Sequence, residues 1–325
     1  MTQLGHALDN GICVAAWTFD ELYGRDGKFL DGVASLGQIF VGEIPSNFRG
    51  WVRPPEVLRP KPRKQGKTKG KRRRSRLKPR VAARYRRSQA RHLLKYSPVF
   101  RQQSWQRYRI KDTDKGPEVW EIKWSEFWRK GGSGLPTRRH CLIVARNVLT
   151  GEVKYFLANR VPGEWNPFSG QYITLRWLLR VAFGRWSIES CFRQSKEELG
   201  MDHYEVRGWR CLHRHFYLTQ LTHLFCARIR QQYDQASDNG ADRLTVEQVR
   251  SAVNTWLECV DLCRSCRQKR YEKELEDQQY YQARNEQARV SHTKTRVEQL
   301  AALGIDVDRI KSCLPKPPRY EPPHT

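Results

Sequence analysis

From Ile12 to Trp17 the chain reads ICVAAW, a nearly unbroken apolar run between Gly11 and the polar stretch TFDE. A run of this kind suits a strand buried on both faces. QLGHALDN before it reads as the end of a helix, with Gly11 as its stop. Asp20 then falls just past the carboxyl end of the strand, where open α/β sheets place their chemistry. In RDGKFLDGVASLG, Phe29, Leu30, Val33 and Leu36 recur at helical spacing and predict an amphipathic helix. QIFVGEIP follows as a second short strand, and strand, helix, strand is the pattern of an α/β core.

The period then changes. WQRYRIKDTDKGPEVWEIKWSEFWRK alternates, with Trp120, Ile122 and Trp124 on one side of a strand and a DKGP turn before it. HCLIVARNVLTGEVKYFLANR predicts a hairpin closed around LTGE. From Leu175 to Tyr233 the pattern is helical, and the stripe Leu218, Leu221, Leu224 and Phe225 predicts a helix packed on the core. Beyond the polar break SDNGAD the tail is helical and charged, and it ends in the Pro-rich LPKPPRYEPPHT, expected to fray.

Charge changes the picture. The 325 residues carry a formal net charge of +26, so a polyanionic partner is the first inference. The 11 Trp, 13 Tyr and 12 Phe are enough to build cores, but 38% hydrophobic residues is low, so part of the chain is expected to be unpacked. Between Arg59 and Arg91 stand 17 Lys or Arg and no acid, densest at Lys71, Arg72, Arg73 and Arg74. Repulsion, Pro and Gly keep the first half of such a run disordered on its own. A solvated charge run is the plain reading, a localisation signal is another, and nucleic acid is the partner that this density favours. Nine scattered Cys, an odd number, argue against a disulfide framework and for a reducing compartment. The start lacks the basic and apolar regions of a signal peptide, and no apolar run nears the ~20 residues that span a bilayer. A cytoplasmic, nucleoid-associated protein with no membrane partner is expected.

RWSIESCFRQSKEEL, Arg185 to Leu199, sets one carboxylate among three cations. At about 100° per helical residue, Arg185, Glu189 and Lys196 fall within about 40° of one another, with Arg193 about 40° further on. Taken alone, that is an amphipathic helix whose polar face carries i,i+4 pairs worth a few tenths of a kcal/mol each.

Together these features resemble the DDE transposases of bacterial insertion sequences. The region of their second Asp is similar to TFDELYGRDGKFLDGV at Thr18 to Val33, and their Glu region to RWSIESCFRQSKEELGMDHYEVRGWRCLHRH at Arg185 to His215. One large group has a Tyr-Arg-Glu-Lys signature there, with Arg four before the Glu and Lys seven after. Arg185, Glu189 and Lys196 match that spacing, whereas the Tyr position is Ala182. The resemblance covers about residues 1–230 and implies an α/β, ribonuclease-H-like core interrupted by a β-rich insertion and followed by a helical C-terminal region. On that reading residues 1–44 are the second half of the core. Residues 45–172 are the basic insertion, 173–233 the core helices with the catalytic Glu, and 234–325 the charged tail.

The resemblance further implies catalysis by carboxylates that hold Mg2+ or Mn2+, with Asp20 and Glu189 as two of three ligands. Arg185, Arg193 and Lys196 would face the phosphates beside the cut. Tyr204 and Arg207 match the family pattern and are read as positioning DNA, with helix packing as the other reading. Element ends and target DNA would be the partners, with a homodimer possible in the DNA complex. The family's first Asp lies on an upstream strand, whereas this chain starts nineteen residues before Asp20, and Asp9 sits in the helix end. The expectation is therefore a transposase lacking its amino-terminal part, one ligand short, that binds DNA and cuts it poorly. A non-catalytic nucleic-acid-binding protein is the rival reading. Cys263 and Cys266 form a single CxxC, read as small apolar residues on a helix face rather than zinc ligands. Asp26 and Asp31 are read as solvent-facing helix residues, Trp120, Trp124 and Trp128 as core before base-stacking groups, and His203, His213 and His215 as ordinary histidines before phosphate contacts.

Overall fold

The computed structural model describes residues 2–59, 78–236 and 244–314. They form two compact units: residues 1–185 with 293–325, and residues 186–292.

The first unit is built on a mixed sheet of nine described strands. A short helix, α1 (Thr2–Asp9), precedes β1 (Trp17–Phe19); α2 (Glu21–Gly24) and α3 (Gly27–Ser35) then lead to β2 (Phe40–Glu43), which pairs in parallel with β1. The expected strand, helix, strand unit is present, but the first strand is displaced: of ICVAAW only Trp17 belongs to β1, which runs on through Thr18 and Phe19. β2 begins at Phe40 because Gly37, at φ 72°, turns the chain out of α3, so residues 12–16 have no ladder to join. Ile12 is consequently 50% exposed.

Between β2 and the next long strands lie β3 (Arg49–Trp51), β4 (Val57–Leu58), β5 (Arg80–Val81), β6 (Ser88–Gln89), α4 (Ala90–Tyr96) and α5 (Pro98–Arg101). Then come β7 (Gln106–Thr113), β8 (Gly116–Lys130), β9 (Pro136–Asn147) and β10 (Val153–Ala158). The DKGP turn and the hairpin around LTGE stand as the sequence predicts. The sheet order is β1-β2-β10-β9-β8-β3-β6. β8 is long enough to pair with β7 along its first half and with β3 near its end, so the sheet forks there. Strands from residues 106–158 therefore continue directly from β2 rather than standing off as a separate sheet.

Alternation on β9 explains the continuous run CLIVA. Cys141, Ile143 and Ala145 face one cluster with Ile39, Val41, Trp120 and Ile122, while Leu142 and Val144 face another with Leu30, Phe40, Phe100 and Phe127. The helix α6 (Leu175–Gly184), entered from the small ribbon β11 (Trp165–Asn166) and β12 (Gln171–Tyr172), covers the first face through Leu178, Leu179 and Ala182. Residues of α3, α4 and α5 cover the second. Trp120 is buried and Trp124 packs against the first cluster, as the core reading expects.

The second unit is helical: α7 (Trp186–Glu197), α8 (Trp209–Ala236), α9 (Val246–Glu258) and most of α10 (Arg264–Ala302). The last turns of α10 belong to the first unit, where Leu300, Ile305 and Val307 bury Val119 and the short β13 (Lys311–Ser312) adds to β7. The apolar stripe on α8 is a correction. Leu218, Leu221, Leu224 and Phe225 are all at least half exposed. The helix packs instead through the face of Thr219, His223 and Cys226: His223 meets Cys191 and Gln194 of α7, and Cys226 packs with Val246 and Val249 of α9. The inward face is thus marked by His223 and by the apolar packing of Cys226, not by the Leu stripe.

Candidate nucleic-acid and acidic sites

Asp20 follows the last residue of β1 and serves as the N-cap of α2, accepting from Tyr23 N at 3.3 Å. This cap satisfies an otherwise unpaired helix donor and holds the carboxylate at the carboxyl end of the parallel pair. The backbone around it is tightly packed. A Cβ on Gly24 would stand 1.8 Å from the Glu43 carbonyl oxygen, and one on Gly42 would stand 1.9 Å from the Phe19 ring. Glycine at both positions lets α2 and β1 close onto β2 and fixes where Asp20 stands.

Glu189, Arg193 and Lys196 lie exposed on α7 in the second unit. The helix is interrupted just before them: α6 ends at Gly184, Arg185 follows as its half-buried C-cap, and α7 begins at Trp186. Arg185 itself keeps helical backbone angles, φ −54° and ψ −35°, between the two helices. Arg193 pairs with Glu197 at 3.9 Å, an i,i+4 contact between exposed groups that contributes little. Only Ser195 of α7 is buried, and the apolar Trp186, Ile188 and Phe192 are exposed along with the charged residues.

Tyr204 and Arg207 are exposed in the segment between α7 and α8. Tyr204 lies 6.0 Å from His215, which donates from Nε2 to the Gly200 carbonyl at 2.9 Å. His213 stacks beside Trp209 at 4.1 Å, and His203 is exposed near Asp202. Lys71, Arg72, Arg73 and Arg74 lie outside the described residues. The chain entering and leaving residues 60–77 is nonetheless held together, since Val57 pairs with Val81 and Leu58 with Arg80.

The CxxC differs from expectation. Cys259 is buried, but Cys263 and Cys266 are exposed at the start of α10, where Cys266 N donates to Cys263 Sγ at 3.4 Å. Hydrogen bonds from Ser265 and Cys266 pull the Cys263 thiol down to about 7. Among the described residues no group of three or more His, Cys, Asp or Glu is placed to hold a metal ion.

Sequence reasoning missed a second polar centre in the first unit. Arg129, at the end of β8, is 2% exposed and donates from Nη2 to Asp31 on α3. Asp26 and Asp31 are thus not simply solvent-facing: Asp26 caps α3 through Lys28 N, and Asp31 neutralises a buried cation. His140 lies next to this pair, buried, and burial together with the Arg129 charge lowers its pKa to about 4. Its Nδ1–H donates to the Arg138 carbonyl at 2.6 Å. Nothing in FWRKGG marks Arg129 as buried except the alternation of β8, which places every second residue inward.

Comparisons with models of known protein families and with curated proteins find no match for this chain. No helix among the described residues is long and apolar enough to cross a membrane.

Proposed function

We propose that the protein acts on DNA in transposition of the DDE type, through a ribonuclease-H-like arrangement around β1 and β2. The observation that carries the reading is Asp20, a capping carboxylate at the carboxyl end of a strand paired in parallel, joined through two helices to its neighbour. Support also comes from α7, which presents Glu189 with Arg193 and Lys196 on an exposed polar helix. The chain's net charge of +26 favours a polyanionic partner.

Asp20 and Glu189 are hard oxygen donors of the kind that Mg2+ or Mn2+ takes, and would hold the metal. Bound there, a metal pair would polarise the scissile phosphodiester and stabilise the leaving oxygen. The donor set fits in kind but is short in number among the described residues. Arg185, Arg193 and Lys196 would grip phosphates beside the cut, with Tyr204 and Arg207 positioning the strand. A second reading, DNA binding without chemistry, is favoured by the Arg59–Arg91 run, which needs neither acid.

The test loads the full chain with Fe2+ in place of Mg2+, in complex with duplex DNA from the flanks of its own gene, and adds hydrogen peroxide, with ascorbate to return the iron to Fe2+. Hydroxyl radicals made at a bound iron cut the polypeptide nearby. Chain cuts beside residues 20 and 189, lost in Asp20→Asn and Glu189→Gln while DNA binding persists, are expected. DNA binding without those cuts supports the second reading, and no DNA binding rejects both.

A further inference from the structure

A cavity of about 570 Å3 lies in the first unit between the second half of α3, the start of β9 and the residues after β10. Its size is that of a small-molecule site. Asp20 does not line it, nor does any residue of α7. Four guanidinium groups do: Arg129, Arg138, Arg139 and Arg160.

These four are not equally engaged. Arg139 bonds Glu126 at 2.9 Å and Glu164 at 2.8 Å, and Arg160 stands 4.0 Å from Glu164. Arg138 is exposed and makes no side-chain ion pair among the described residues. Arg129 is the unusual one. Its Nη2 reaches Asp31, but Nε and Nη1 are buried without an acceptor. Both nitrogens are closed to solvent, so Arg129 lends the cavity wall positive charge rather than a hydrogen bond to a ligand. Arginine forks match the oxygens of phosphate groups, and such charge-assisted bonds are about twice as strong as neutral ones.

The α3 side of the cavity adds acceptors beside these cations. Asp31 keeps a half-exposed carboxylate, and Ser35, whose hydroxyl donates to the Gly32 carbonyl at 2.7 Å, keeps its oxygen as an acceptor. A ligand with a phosphate at one end and hydroxyl or amino donors at the other satisfies both.

We propose that this cavity binds a nucleotide, its phosphate at the accessible Arg138 and Arg160 and its hydroxyl or amino groups at Asp31 and Ser35. The nucleotide is either free or the terminal unit of a DNA strand. The inference does not rest on the transposition reading, because neither Asp20 nor Glu189 takes part.

The experiment is calorimetric titration of the full chain with dAMP, with inorganic phosphate, and with a short duplex bearing a 5′-phosphate. It uses the wild type and Arg138→Ala and Arg160→Ala, whose circular dichroism confirms folding; Arg129→Gln is added but does not decide the result, since it alters a buried position. dAMP is expected to bind at least tenfold tighter than inorganic phosphate and to weaken at least fivefold in either Arg variant. Competition between dAMP and the phosphorylated duplex assigns the site to a strand end. Binding of dAMP without competition assigns it to the free nucleotide. Failure of dAMP to bind, or equal affinity in wild type and both Arg variants, overturns the proposal. Loss of chain cutting in Asp20→Asn would leave these titrations unchanged, which separates the two proposals.

Discussion

Arg129 and Asp31 form an ion pair that ties β8 to α3 across 98 positions of sequence, and removing the two partners should have unequal effects. Breaking a buried pair by deleting one partner costs about 3–5 kcal/mol when the surviving charge has no access to water. Arg129 is in that position: it is 2% exposed and already has two nitrogens without acceptors. Asp31 is 55% exposed, so water already screens part of its field and can reach Nη2 once the carboxylate is gone. The expected cost of Asp31→Ala is therefore about 1–3 kcal/mol. Arg129→Met removes the buried charge and its orphaned donors at similar volume, and leaves behind an acid that water can solvate. Its cost should be within about 1 kcal/mol of zero, in either direction. The double variant should match Arg129→Met, which gives a coupling of about 1–3 kcal/mol. Urea unfolding of the four proteins in phosphate-free buffer measures this, provided the slope with denaturant is constant. A larger loss for Arg129→Met than for Asp31→Ala would refute the reasoning and show that the guanidinium, not the carboxylate, is the better satisfied partner.

Burial holds His140 near a pKa of about 4, below its ordinary 6.5, so the unfolded chain takes up a proton that the folded chain refuses between those values. Stability should be full above about pH 6.5, fall by about 3 kcal/mol as pH drops towards 4, and level off below. Thermal melts across that range should show the fall, and His140→Gln should flatten it. Gly42→Ala sets a methyl against the Phe19 ring, itself held 5.1 Å from Phe29, and should cost about 1–3 kcal/mol or more by denaturation. Replacing residues 60–77 with a short Gly-Ser link should leave near-UV dichroism unchanged, because the β4–β5 ladder holds both ends. It should reduce the salt slope of DNA binding by about 0.9 log units for each phosphate that the run neutralises, and an unchanged slope would mark the run as a spacer. Alkylation of Cys263 should show a pH inflection near 7, with Cys266 reacting only at higher pH.

The sequence by itself determined the elements whose signal is local. Period-two alternation marks β8 and the β9–β10 hairpin, helical spacing marks α3, and Asp20 reads as the residue after a strand, because each needs only near neighbours to be legible. It also determined the density of positive charge between Arg59 and Arg91, which no folding can remove. Tertiary structure decided the rest. ICVAAW is apolar enough for a strand, but of it only Trp17 finds a partner ladder, and the strand continues into Thr18 and Phe19 instead, since pairing is a property of two segments. The Leu stripe of α8 has the right spacing for a core face, yet the hydrogen bonds of His223 and the packing of Cys226 turn another face inward. Arg129, Asp31 and His140 are far apart along the chain and unremarkable in it. Their meeting depends on β8, β9 and α3 converging on one side of a sheet, and burial there changes what each group can do. A carboxylate's place on a strand end is written locally, whereas the partners that give a buried charge its chemistry come from distant residues and exist only once the chain has folded.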